Sequence, residues 1–442
     1  MRKIDLVFRS IGERTSQLAL ELAKKYIQPD TIHVLEKVFP FSETVRRQLQ
    51  IDYNSDYVVF LDADCLLMED MRPFLEETTF PYIDCYVYDK FRGKLHTGVH
   101  ITRIDLVQEM ATIDPPRDDL KYVLRPESRL RYFALEKLQM GKVFKPFHIY
   151  HDFHQYYKDI FTKYALRELR SRTEQNRSKL QVKMQYWSES DMDYTIAKKA
   201  IAFARTKVPT DSSPQTVDSF IADLPNLART QLATMKIQEK KSLSIKEVDN
   251  TELSSPLYKT GEKVFLIGLN QTFAKRLTKA LSYLGYTIYQ DPVDTQLMDE
   301  LQKAMFQLSV LQYFDGIADF CIAPYFSQLE QKFPNSKFIL TVREEEEWLE
   351  GMYNNWQRKL SSQALQNPRN RLRKKQIQFV YGTTDFDGEL LLEKYKVHVG
   401  NAVHYFQRKN KNLLVMDIAA GDGWAKLCPF LGKEVLTYPF PS

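Results

Sequence analysis

Apolar and polar positions along the first part of the chain switch repeatedly between a two-residue and a helical period. Strands are predicted at Ile4 to Phe8, Thr31 to Val38 and Tyr57 to Leu61, with helices over about Thr15 to Tyr26 and near Thr44 to Ile51. Such alternation predicts a parallel sheet flanked by helices, whose ligands sit at the carboxyl ends of the strands. From about Tyr156 to Lys241 the strand pattern stops. Lys, Arg, Gln, Ala and Leu dominate there, which predicts helices interrupted at Val208 to Pro214. Ser242 to Glu262, with Ser254-Ser255-Pro256, reads as an interdomain linker. Strand and helix signals then restart: strands at Lys263 to Leu269, Thr287 to Tyr289, Phe338 to Val342 and Leu413 to Asp417, helices at Thr272 to Leu284 and Glu345 to Trp356. At 442 residues the chain exceeds one core, so the predicted fold class is α/β in two domains. The boundaries are a first α/β domain at 1–155, a helical extension at 156–241, a linker at 242–262 and a second α/β domain at 263–442. No internal repeat relates the halves.

Composition changes this picture little. With 43% hydrophobic and 27% charged residues the chain reads as an ordinary soluble globular protein. Its net charge of +5, from 62 basic and 57 acidic residues, is too small to predict a nucleic-acid partner. Basic residues do concentrate between Lys158 and Lys183, at Lys163, Arg167, Arg170, Arg172, Arg177 and Lys179. A solvated helix face is the favoured reading of that run, and an anionic acceptor or peripheral contact with a membrane surface the lesser one. Cys65, Cys85, Cys321 and Cys428 lie far apart in apolar surroundings without zinc spacing, as reduced core cysteines do. The N-terminus enters a strand directly and no run of about 18 apolar residues occurs, so a cytoplasmic location without a transmembrane segment is expected.

The candidate chemistry begins at Tyr57-Val58-Val59-Phe60-Leu61-Asp62-Ala63-Asp64, where an apolar run delivers two carboxylates to a strand end. Carboxylates on alternate residues of an extended chain share a face, and where the strand ends both can converge on a hard divalent cation that also accepts phosphate oxygens. An acidic turn is the bland alternative. Phe8-Arg9-Ser10-Ile11-Gly12-Glu13-Arg14-Thr15 adds a strand end, a turn and a helix start, which offer backbone N–H groups and Arg9 or Arg14 to phosphates. Together these segments resemble the GT-A glycosyltransferases, over residues 1–155. The resemblance implies a Rossmann-type sheet, a nucleotide sugar as donor, a glycan or other hydroxyl acceptor, and Mn²⁺ or Mg²⁺ held on the diphosphate by Asp62 and Asp64. Phe91 to His100, a glycine-bearing loop with two histidines, falls where such enzymes form the acceptor side. Phe147 to His154 carries three imidazoles at three-residue spacing, on a helix or a tight loop, and His148 or His151 is the candidate further metal ligand. The alternative is a packing patch.

Farther on, Lys263 to Asn270, Asp319 to Pro324, Phe333 to Arg343, Trp348 and Gly421 to Gly432 occur in the order seen in the bacterial P-loop sulfotransferases, which residues 263–442 resemble. That resemblance implies a three-layer α/β/α domain. It also implies binding of 3′-phosphoadenosine 5′-phosphosulfate (PAPS) by a loop after the first strand and by an Arg with a downstream Ser. The residues it places there are Gly268, Asn270, Thr272, Lys275, Arg276 and Arg343, with Asp319 as the candidate base. The sequence departs from the pattern in both elements. After the Asn the family reads Lys-Thr-Gly-Thr-Thr-Ser; here stand Gln271-Thr272-Phe273-Ala274-Lys275-Arg276, and the Ser position is Gly351. A phosphate loop without its lysine and its glycine is expected to keep the fold and lose the donor, unless Lys275 and Arg276 form a rearranged cradle. The sequence thus predicts a metal-dependent glycosyltransferase fused to a degenerate sulfotransferase domain. Its rivals are a bifunctional glycosyl- and sulfotransferase and a non-catalytic nucleotide-binding scaffold.

Overall fold

The first apolar run becomes β1 (Ile4–Ser10), buried along its whole length because helices and loops cover both faces of the sheet at its centre. β2 (Thr31–Glu36) and β3 (Tyr57–Asp62) flank it in parallel, and the register sets Arg9 opposite Asp62. β4 (Cys65–Leu67), β5 (Tyr82–Asp89), β6 (Lys94–Arg103) and β7 (Val143–His151) complete a sheet of order β2-β1-β3-β6-β5-β7-β4. The sheet is mixed: β6 runs antiparallel to β3 and β5, β5 pairs in parallel with β7, and β4 is antiparallel to β7. The continuous parallel sheet expected from the sequence therefore stops at β2-β1-β3, and β5 with β7 forms a separate parallel pair beyond β6. The reversal comes from β5 and β6, which follow one another too closely for a crossover helix and must pair as a hairpin.

The structure, a computed structural model, describes residues 1–442 apart from 93, 117, 186, 245, 250–261, 291–294, 361–364, 366–367, 408–411 and 442; for 94–96, 174–175, 295 and 368–369 it describes the backbone alone. The chain divides into Met1–Ser255 and Pro256–Ser442. That division falls inside 242–262, although Ser254, Ser255 and Pro256 lie outside the described residues.

After β7 come four helices, Tyr157–Leu169, Glu174–Met184, Met192–Lys207 and Pro214–Thr234. Thr173, Asp191 and Ser213 cap the last three, each side chain accepting from a backbone N–H of the first turn. Their apolar stripes meet in one core containing Phe161, Tyr164, Trp187, Ile196, Ile201 and Leu224, which Phe91 joins from the end of β5. This core gives the helix Tyr157–Leu169 a firm back, so its other side can face the strand ends.

The second unit is a parallel sheet of order β12-β11-β8-β10-β9, from β8 (Val264–Leu266), β9 (Ile288–Gln290), β10 (Gly316–Ala318), β11 (Lys337–Val342) and β12 (Leu413–Asp417). Leu277, Ala280 and Leu281 of the helix Ala274–Tyr283 pack with Ile339, Trp424 and Leu427 on this sheet. Among the described residues no helix is long and apolar enough to cross a membrane.

Candidate active site

At the carboxyl ends of β1 and β3 the N-terminal unit encloses a cavity of about 620 Å³. Asp62, Asp64, Arg9 and His151 line it, as the sequence reading placed them, and so do Asp152, Lys163, Arg125, Arg167 and Arg170, which that reading did not assign to a site. Asp62 ends β3. Its carboxylate accepts from Arg9 Nε at 2.7 Å, while Arg9 Nη1 donates to Gln48 at 3.1 Å and Glu127 at 3.0 Å. Arg9 is therefore a buried strut that aims Asp62 rather than a donor held open for phosphate. Burial raises the Asp62 carboxyl above its usual range despite Arg9, with Asp64 and Glu127 adding to the rise.

Asp64 follows in the turn into β4, where Cys65 pairs with His151 across the ladder and the Asp152 N–H donates to the Asp64 carbonyl at 3.2 Å. Lys163 reaches in from the helix Tyr157–Leu169 and donates to the carboxylates of both Asp64 and Asp152, 3.2 Å from His151 Nε2. Burial would raise the Asp64 carboxyl, but Lys163 and His151 bring it down to about 2. Burial opposes the Lys163 charge, yet Asp152 and Asp64 hold that ammonium well above the ordinary lysine value. His151 is likewise raised: burial lowers it, but Asp152, Asp64 and Asp89, which lies 3.0 Å from Nδ1, together more than offset that.

The three-histidine segment is a strand as far as His151, with His154 in the turn beyond it, and a strand sends residues three apart to opposite faces. His151 thus enters the acidic cluster while His148 turns away. The His148 N–H donates to Glu69 at 2.8 Å, its ring packs edge-on against Tyr150, and among the described groups it joins no metal-like set. Phe91 to His100 is mostly β6, with Gly93 and the His96 side chain outside the described residues; His100 pairs with Asp84 at 2.9 Å. Arg14 is drawn off by Glu247, at 3.0 Å to each carboxylate oxygen, and by the carbonyls of Lys241 and Ser242.

Asp64, Cys65 and His151, and Asp89, His151 and Asp152, each bring ligand atoms within 4.8 Å of one another, a spacing a metal ion can use. The residues do not fit a resident divalent ion as they stand. Lys163 Nζ already bonds Asp64 and Asp152, and Asp62 is bound to Arg9.

The opposite wall is basic. Arg170 donates to the Leu124 carbonyl at 2.8 Å, and among the described residues no carboxylate pairs with Arg125, Arg167 or Arg170. Burial, with Arg125 and Arg92 nearby, lowers Arg170 to about 9, and burial plus Arg92 lowers Arg125. Unneutralised cations this close together are costly until an anion joins them. The basic run read as a solvated face is thus a cavity wall: Lys163, Arg167 and Arg170 recur at helical spacing on the side opposite the buried Phe161 and Ala165.

Asp159 stands one turn before Lys163 on this wall. Its Oδ2 is buried without a partner, and burial pushes the carboxyl up to about 7, with Glu13 and Glu239 adding to the rise against Lys158. A carboxyl with that value can take up a proton near neutrality. Below about pH 4 it is protonated whether the chain is folded or not; as pH rises from 3.8 through 7 the unfolded chain gains charge that the folded chain resists, so stability falls through that window. Asp159→Asn should remove the slope and gain on the order of 2 kcal/mol at pH 8. Urea unfolding across pH 4–8 checks this, and parallel curves for parent and variant would contradict it.

In the second unit the loop after β8 is shaped by contact with β11. A Cβ on Gly268 would come 1.9 Å from Thr341 Oγ1 and 2.8 Å from the Thr341 carbonyl oxygen, so no side chain fits there. Thr272 Oγ1 bonds the Leu269 carbonyl at 2.7 Å and Thr341 Oγ1 at 2.6 Å, while Asn270 receives Tyr381 OH and, at its carbonyl, Trp348 Nε1. Gln271 and Phe273 hold left-handed φ values of 65° and 63°. The guanidinium carbons of Arg276 and Arg343 lie 4.7 and 5.1 Å from the centroid of the Phe273 ring, and Arg343 also pairs with Glu347 at 3.1 Å. Lys275 is exposed. Asp319 is buried in an ion pair with Arg373 at 3.2 Å and accepts the Cys321 N–H at 2.8 Å, which makes it a structural partner in this conformation rather than a base facing an acceptor.

Residues 263–442 match the family described as Sulfotransferase domain. No curated protein is similar enough in sequence to count as a relative. Among solved structures, a glycosyltransferase involved in glycosylation of the major capsid of PBCV-1 matches 34% of this chain and 94% of its own, at 11% identity and a TM-score of 0.23. The apo-form glycosyltransferase GlyE of Streptococcus pneumoniae TIGR4 covers 80% of this chain and 89% of its own, at 11% identity and a TM-score of 0.22. With TM-scores and identities this low, no ligand or activity passes from those proteins to this one.

Proposed function

We propose that the N-terminal unit is a glycosyltransferase that takes its sugar from a nucleotide diphosphate donor, and that the C-terminal unit is a sulfotransferase-type domain without a working donor loop. The observation that carries the first part is the cavity itself. One wall presents Asp62 and Asp64 at strand ends and the other presents Arg125, Arg167 and Arg170, without carboxylate partners among the described residues, which suits a ligand carrying both hydroxyls and a compact negative charge. Asp62, with one oxygen fixed by Arg9, keeps the other for a hydroxyl of ribose or sugar. The arginine wall would take the diphosphate and stabilise the charge that grows on it as the glycosidic bond breaks. Asp159, if deprotonated near pH 7, would accept the proton of the attacking hydroxyl of a glycan or other acceptor. A divalent ion, expected from the sequence, meets an obstacle in Lys163, and PAPS, whose loss the sequence predicts, meets one in Phe273.

Arg167→Ala/Arg170→Ala should weaken binding of UDP, GDP or CDP, whichever the parent binds, by at least about tenfold, while the melting temperature holds or rises because a like-charge cluster has been relieved. Calorimetric titration at two salt concentrations reads both effects. Equal affinity in the double variant would remove the arginine wall from the donor site.

A further inference from the structure

Lys163 stands where the acidic end of the cavity would otherwise require a bound cation. We propose that its ammonium is the resident counter-charge of this site, so that the N-terminal unit binds its diphosphate ligand without a divalent metal. The inference rests on the nucleotide-sugar reading for the identity of the ligand, but its core concerns this chain's own atoms. Nζ bonds carboxylate oxygens of both Asp64 and Asp152 and lies 3.2 Å from His151 Nε2. All three belong to the two metal-like sets, which Cys65 and Asp89 complete, so an ion taking Asp64, His151 or Asp152 as ligand would compete with Nζ for the same atoms. Lysine and ion are alternative tenants of one position.

Three features favour the lysine. Its helix is anchored from behind by Phe161, Tyr164 and Ala165 in the helical core, so the stem enters from a fixed backbone rather than from a mobile loop. Asp62, which a metal would need as its second carboxylate, is turned to Arg9, whose remaining contacts to Gln48 and Glu127 are themselves buried. Charge is also largely offset locally: Lys163 and His151 face Asp64, Asp89 and Asp152, so a divalent ion added to the set would have to displace the ammonium into the cavity beside Arg167 and Arg170. The positive charge that a metal gives the diphosphate is instead spread over Lys163 and the arginine wall. Point cations on fixed stems can do this, since what the leaving diphosphate requires is positioned positive charge.

The test has a metal arm and a ligand arm on the full chain. In the first, Mn²⁺ is titrated against parent, Lys163→Met and Lys163→Met/Asp64→Asn, with free Mn²⁺ read by electron paramagnetic resonance. The parent should take up no stoichiometric Mn²⁺, Lys163→Met should bind it at least about tenfold more tightly, and the double variant should lose that gain. A parent that binds one Mn²⁺ at micromolar affinity, abolished by Asp64→Asn, overturns the proposal, as does Lys163→Met binding no better than parent. In the second arm, UDP, GDP and CDP are titrated in EDTA and in Mn²⁺. Parent affinity should be the same in both, and Lys163→Met should be at least about tenfold weaker in EDTA with partial recovery in Mn²⁺. Loss of parent binding in EDTA also overturns it. If the parent binds no nucleotide under either condition, the nucleotide-sugar reading fails while the Mn²⁺ arm still decides the role of Lys163. Should Lys163→Met fail to fold, the two parent measurements decide alone.

Discussion

Glu127→Ala should cost the protein about 3–5 kcal/mol of stability, the range expected when one partner of a buried ion pair is removed and the other stays. Glu127 has nearly no exposed surface; it meets Arg9 Nη1 at 3.0 Å, Gln48 Nε2 at 3.3 Å and Arg131 at 3.8 Å. Burial would raise its carboxyl, but Arg9, His100 and Arg131 bring it down to about 2. The sign follows from that depression: the pair contributes its full stability above the ordinary value of 4.5, and the contribution is lost as pH falls from there through about 2. Alanine leaves two buried guanidinium groups without their common carboxylate, Arg9 keeping only Asp62 and Arg131 only the charge of Asp84, whereas Glu127→Gln keeps the shape and one acceptor and should cost roughly half as much. Urea unfolding at pH 7 and pH 3 separates the cases. The variant should lose most at pH 7 and show a flatter acid limb. Because Arg9 also aims Asp62, nucleotide affinity in whatever fraction stays folded should fall along with stability. A loss below about 1 kcal/mol at both pH values would mean that the network tolerates the missing charge.

Much of the architecture was legible because periodicity reports burial directly. β1, β3, β11 and β12 lie close to where their apolar runs put them, and the break between the helices Met192–Lys207 and Pro214–Thr234 falls on Val208 to Pro214. Less was legible where pairing partners are distant in sequence. Nothing in Phe147 to His154 distinguishes a strand from a helix locally; its pairing with β4 and β5 decides, and with it which histidine meets Asp64. The candidate site shows the same division. Asp62 and Asp64 were visible because an apolar strand delivers them. Lys163, Arg167 and Arg170 were visible as a basic run yet assigned to solvent, since helical spacing shows that residues share a face but not what that face meets. The signal that could have placed them is Asp159, a carboxylate one turn before Lys163 on the same stripe, which breaks the pattern of a purely basic surface. Arg14 illustrates the opposite error. A sequence-adjacent arginine at a helix start looks phosphate-facing until Glu247, far along the chain, claims it.

The largest gain of function is expected in the second unit, where Gln271→Lys, Phe273→Gly and Gly351→Ser together should create affinity for adenosine 3′,5′-bisphosphate that the parent lacks. Phe273 draws both guanidinium groups to its ring, the Arg276 carbon at 4.7 Å and that of Arg343 at 5.1 Å, and so fills the space between two cations that could otherwise hold phosphate. Its φ of 63° is one that glycine adopts freely, so Phe273→Gly removes strain of about 1 kcal/mol while giving up partial packing on the core. Gln271 has a similar φ of 65°, and lysine there is no more strained than glutamine. A Cβ on Gly351 would approach Arg343 Nη1 to 3.0 Å, but that atom ends a flexible side chain and can shift, leaving a serine hydroxyl beside the guanidinium. The scaffold that receives these changes is firm: Gly268 against Thr341, Thr272 between Leu269 and Thr341, and Asn270 held by Tyr381 and Trp348. The triple variant should therefore bind the bisphosphate in the range of about 10–100 μM, roughly −5.5 to −7 kcal/mol, where the parent shows no saturation. Isothermal titration of both proteins decides the matter. Micromolar binding by the parent, about −8 kcal/mol, would show that Phe273 moves aside for the ligand and that Lys275 and Arg276 do form a working cradle, which favours a bifunctional glycosyl- and sulfotransferase over a degenerate domain.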